Sequence, residues 1–126
     1  MEKKYVYDLH TDHTDWLEKL AFYKDEIKVM ESRVAEIASK NSKPEVRAFV
    51  EQFQNRLIIQ KEHLDILKHE INEHEGYLQK NIDNNPVAAD HRKLNDHPKH
   101  REAMESYEKI FNEFRKELMG FLSKWM

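Results

Sequence analysis

Eight histidines and no cysteine leave imidazole and carboxylate as the metal-binding and acid–base groups open to this chain. Without thiols there is no disulfide framework and no thiolate metal site. The histidines are not spread evenly. If the chain folds back on itself twice, His10, His13, His69, His74, His91, His97 and His100 all fall at one end, and His63 alone does not. Three of them, His13, His74 and His100, also continue the apolar stripes of three separate helices. Three imidazoles converging in this way can coordinate a divalent ion such as zinc and leave a fourth position open. Glu70, four residues before His74, is placed to supply an oxygen ligand or to hold an imidazole tautomer. Asp12, Asp15, Asp90 and Asp96 lie nearby in the same reading.

The plainer account of the same residues is mechanical. Polar groups at stripe positions set register at a cost in stability, and Gln60 does so mid-helix with no chemistry attached. At the wet end of a bundle a His replaces an apolar residue that would gain little there. This account ranks first, with a metal site built from His13, His74, His100 and Glu70 as the alternative. His69 and Glu73 have the His-x-x-x-Glu spacing of haemerythrin-like di-iron bundles, but they fall off the stripe on the solvent side. The Glu-x-x-His spacing of ferritin-like sites is absent from that helix. No glycine-rich phosphate loop is present, and Ser32, Ser39, Ser42, Ser106 and Ser123 have no catalytic motif around them. The sequence therefore assigns no catalytic residue and no organic cofactor.

The elements that must position these groups are helices. With 36% charged residues, two Gly and three Pro, the composition suits long solvent-facing helices over a sheet. Reading from Pro44 in alternating steps of four and three gives Val46, Val50, Phe53, Leu57, Gln60, Leu64, Leu67, Ile71, His74 and Leu78. Trp16, Leu20, Tyr23, Ile27, Met30, Val34 and Ile37 repeat the alternation upstream, and Met104, Tyr107, Phe111, Phe114, Leu118, Phe121 and Trp125 repeat it downstream. Recurrence about every 3.5 residues is the spacing of a heptad stripe. The fold class is all-α: an up-down-up three-helix bundle of long antiparallel helices with coiled-coil-like seams.

Boundaries follow from capping chemistry. Thr11, Asp12, Thr14 and Asp15 offer cap and first-turn oxygens for a start near residue 11. Asn41 suits a left-handed cap, Ser42 with Glu45 matches the capping box, and Pro44 fits the first turn of the next helix. Helices are expected over 11–40, 44–81 and 98–125 within one domain, 1–126. A connector over 82–97 is expected to hold a short helix after Asn85 and Pro86, with residues 1–10 lying across an end. The register of the last helix stays open, because its connector is long.

Ile58, Ile59 and Ile66 sit nearly opposite the central stripe and are hard to bury within one chain. Their exposure would favour a homodimer, and the leading functional expectation is a non-enzymatic bundle acting through protein–protein association. Acidic residues exceed basic ones by three, and the basic ones are scattered, so no footprint for nucleic acid appears. No run is apolar enough for a membrane span or a signal-peptide core, which makes a cytoplasmic protein the default.

Overall fold

The computed structural model describes the backbone of residues 2–84 and 97–126 and the side chains of residues 8–80 and 97–126. Among the described residues there are three helices, α1 (Glu2–Lys40), α2 (Pro44–Asn84) and α3 (His97–Trp125). They pack as an all-α bundle in which α2 runs against both neighbours. None is long and apolar enough to cross a membrane. The short helix expected within 82–97 falls on residues 85–96, outside those described. So do Asp90, His91 and Asp96, and so do the side chains of Tyr5, Val6 and Tyr7.

The stripes pack as the periodicity requires. Every α2 stripe position from Val46 to Leu78 is buried, Gln60 and His74 included. On α1 and α3 the stripes are buried too, with Tyr23 and Trp125 at their margins partly exposed. Aromatic pairs bridge the helices at successive levels of the core. Tyr23 packs on Phe111 with ring centroids 4.6 Å apart, and Phe53 sits 4.9 Å from Phe121. The Arg56 guanidinium covers the Phe114 ring at 4.8 Å and pairs with Glu117, so a long cation shields the aromatic layer from solvent.

Three local expectations are corrected. α1 does not start near Thr11 but runs unbroken from Glu2. Its buried stripe extends through His13 to Leu9, one further heptad, and burying Leu9 outweighs the capping preference of Thr11 and Asp12. At the α1–α2 turn no non-Gly residue has a positive φ, so Asn41 does not adopt the left-handed cap. Its backbone and side-chain amides instead both donate to the Ile37 carbonyl at 3.0 Å. The first α2 bond, from Arg47 N–H to the Lys43 carbonyl, makes Lys43 the cap residue and Pro44 the first helical one. Ser42 thus lies one residue outside the capping-box position.

The register of α3 against α1 is visible in three cross-helix ion pairs. Asp12 binds Arg101 at 2.6 Å, Lys19 binds Glu108 at 3.5 Å and Glu26 binds Arg115 at 3.1 Å. Each pair lies one heptad beyond the last, and the polarity alternates. Sliding α3 by one heptad would set Asp12 against Glu108 and Lys19 against Arg115, like against like. Charge alternation therefore penalises the nearest wrong registers. In the register that remains, the first residue of α3, His97, stands level with the start of this ladder.

Candidate metal centre

Each helix brings one buried histidine to the same pole. His13 of α1, His74 of α2 and His97 of α3 are 1%, 5% and 3% exposed, and one ring nitrogen from each lies within 4.8 Å of the others. His13 and His74 are brought together by the α1–α2 hairpin, as the fold-back about its turn predicts. His13 Nε2 and His74 Nδ1 are 2.9 Å apart. His97 stands with its ring centroid 5.1 Å from that of His13 and 5.7 Å from that of His74, and it stacks on the Trp16 indole at 4.9 Å.

Two carboxylates fix which nitrogens face inward. Glu75 Oε2 lies 2.5 Å from His13 Nδ1, and its other oxygen accepts from His10 and from Gln79. Asp12 Oδ2 lies 2.9 Å from His97 Nε2 and also accepts from Arg101. Burial alone would raise both carboxyl pKa values. Hydrogen bonds from His10, Gln79 and His13 to Glu75, and from His97 and Arg101 to Asp12, outweigh it and hold both groups below their usual range. Ionised carboxylates only accept, so His13 carries its proton on Nδ1 and His97 carries its own on Nε2. His13 Nε2 and His97 Nδ1 are left with bare lone pairs. The first accepts from His74 Nδ1–H. The second is buried without a partner among the described residues.

Burial pushes the His13 and His97 pKa values down. Glu75 and Asp12 oppose that shift without reversing it, and the neighbouring His74 adds to it. Both rings are thus held as neutral imidazoles, the form that binds metal. Zinc–nitrogen bonds of roughly 2.0–2.1 Å in a tetrahedral site require ligand atoms about 3.3 Å apart. The His13–His74 separation of 2.9 Å is a little shorter than this, and all three ring nitrogens lie within 4.8 Å of one another, so small side-chain adjustments reach the required spacing.

The buried group differs from the sequence reading in two places. The α3 member of the buried group is His97, not His100. The two are one turn apart on the same stripe, and the ion-pair ladder selects His97. His100 is half-buried, with its ring 4.9 Å from that of His74. Glu70 is exposed and outside the cluster. Its place as the carboxylate behind the imidazoles is taken by Glu75, which lies on the α1 side of α2, and by Asp12. Folding the hairpin about its turn near residues 41–44 pairs position i with about 85 minus i and sets His10 opposite position 75, so Glu75 has a signal in the sequence. The alternating charges at 12/101, 19/108 and 26/115 were the corresponding signal for Asp12 and His97. His69 points to solvent and pairs with Glu73, as its position off the stripe requires.

Comparison with protein-family models, with characterised proteins and with solved structures finds no match to this chain.

Proposed function

We propose that this chain is a metal-binding helical bundle that holds one divalent late first-row ion, zinc foremost, between His13, His74 and His97. The observation that carries this reading is the convergence of three buried imidazoles, one from each helix, two of them hydrogen-bonded on their outer nitrogens to ionised carboxylates. A carboxylate behind a histidine orients the ring and makes it a stronger ligand. Neutral imidazoles favour zinc, copper and nickel over calcium or magnesium. Ligands this far removed from solvent suit a structural ion better than a reacting one. Metal analysis of tag-free protein, followed by calorimetric titration with zinc, tests it. One ion per chain is expected, with binding abolished in His74→Ala; a chain that takes up no zinc at micromolar concentrations would overturn it.

A second reading concerns association. Ile58, Ile59 and Ile66 share the face of α2 opposite its stripe and are 55%, 60% and 57% exposed. Three exposed isoleucines on one side of a helix favour a homodimer built on that side. Light scattering at high concentration should show a dimer that Ile59→Glu converts to a monomer, and a monomer in both proteins would remove the idea.

A further inference from the structure

We infer that the ion acts as a clasp on α3, so that occupancy of the site decides whether the first turns of α3 are docked on the α1–α2 hairpin. This rests on the metal-binding reading above and concerns what binding does to the chain.

α1 and α2 need no ion to meet. They are joined by a turn of three residues, 41–43, and at the pole Glu75 ties α2 to both His10 and His13. α3 is attached differently. Its first residue is His97, and at this pole its polar link to α1 is the Asp12 carboxylate shared by His97 and Arg101, beside ring contacts of His97 with Trp16 and His13 and of His97 and His100 with His74. Docking those turns buries His97 Nδ1 with no partner among the described residues. A lone pair removed from water without compensation opposes burial. That opposition can be relieved in two ways. Either the first turns of α3 lift and the nitrogen returns to water, or a cation between His13, His74 and His97 takes the lone pair. The same atom therefore destabilises the docked end when the site is empty and secures it when the site is filled. Because α1 and α2 are already bound to each other, the effect falls on α3.

Hydrogen exchange on the full chain at pH 7.4, with and without equimolar zinc, tests this. Backbone amides at residues 101–107 are among the first of α3 with acceptors inside the helix. Zinc should slow their exchange by about tenfold or more, the size of effect expected from satisfying one buried polar group. Amides in the distal half of α3 and in the middle of α2 should change little. The variant His97→Phe keeps a ring against Trp16 and has no nitrogen to satisfy; it gives up the bond to Asp12, which Arg101 still holds on the same side of α3. It should show the slow exchange at 101–107 without metal and no further response to zinc.

The outcomes separate cleanly. Zinc binding by calorimetry with unchanged exchange at 101–107 would overturn the clasp and leave the metal site standing. Exchange in metal-free His97→Phe as fast as in the metal-free parent would also overturn it, because the unpartnered nitrogen would then not be the cause. Failure of the parent chain to bind zinc would overturn both readings.

Discussion

Lys19 of α1 and Glu108 of α3 form an ion pair whose polarity is the reverse of the pairs one heptad to either side, Asp12–Arg101 and Glu26–Arg115. The Lys19 ammonium is held above its usual pKa by Glu108 first, an effect burial opposes and Asp15 reinforces. The pair is solvent-exposed, so its direct contribution is small, roughly 0.2–1 kcal/mol. Its larger role is to make the neighbouring registers repulsive. Lys19→Glu should cost more than the lost pair, since it sets two carboxylates face to face, and Lys19→Glu with Glu108→Lys should recover most of the loss. Urea denaturation of the two single variants and the double gives the coupling directly. A double variant no more stable than the sum of the singles predicts would show that Lys19 and Glu108 are not coupled across α1 and α3.

The outer carboxylates provide a test of the metal site that leaves every ligand in place. Asp12→Asn and Glu75→Gln retain an oxygen acceptor for His97 and His13 but lose the charge that strengthens the imidazoles. Zinc affinity should fall about 10–100-fold in each. Glu70→Gln, at an exposed position outside the cluster, should bind zinc as the parent does. Equal affinity in all three variants would mean that the carboxylates do not orient the ligands.

Much of this architecture is legible in the chain before any coordinates. The α2 stripe from Val46 to Leu78 needs no partner to be recognised, because helical periodicity is a local property and burial follows it position by position. His13 and His74 could be matched because a three-residue turn leaves the hairpin almost no freedom to slide. The start of α1 was less legible: Thr11 and Asp12 are good cap residues, and the competing benefit of burying Leu9 exists only once the other helices are in place. His97 and His100 could not be separated by stripe position, since both lie on it. Choosing between them takes the offset between α1 and α3, which is a relation between distant segments and is carried by charges that look like ordinary surface pairs one helix at a time.

Acid should weaken the pole, and all the shifted groups act in the same direction. Burial holds His13 and His97 below the ordinary histidine value near 6.5. The unfolded chain then binds more protons than the folded one as pH falls past that value. The stability these rings provide is complete above about pH 6.5 and is lost as pH drops toward their folded pKa values. Asp12 and Glu75 are held below their usual range by their hydrogen-bond partners. Their contribution is present above the ordinary carboxyl values and is lost at lower pH still. Melting temperatures of metal-free protein should fall between pH 7.5 and pH 5.5 and again below about pH 4. The variant His13→Gln with His97→Gln should flatten the first interval and keep the second. A parent whose melting temperature rises on acidification to pH 5.5 would contradict the assignment of neutral, buried imidazoles.

Gln60 offers a test of the bundle that is independent of the metal. It occupies a stripe position in the middle of α2 and is buried, and its side-chain Oε1 has no hydrogen-bond partner among the described residues. The nearby Tyr107 hydroxyl, whose pKa burial pushes well above the ordinary phenol range, donates to the Gln60 backbone carbonyl at 3.4 Å instead. An unsatisfied buried amide costs about 1–3 kcal/mol, and Leu fills a similar volume with no polar group to satisfy. Gln60→Leu should therefore raise stability by about 1–2 kcal/mol, a gain of several degrees in melting temperature for a chain of this size. Gln60→Ala, which exchanges the unsatisfied amide for a cavity, should not share that gain. The side chain at position 60 would have to be satisfied in solution if Gln60→Leu proved less stable than the parent. If the leucine variant gained stability but lost a single well-dispersed set of amide resonances, Gln60 would be serving alignment of the stripes, the role that a lone polar residue plays at a heptad core position.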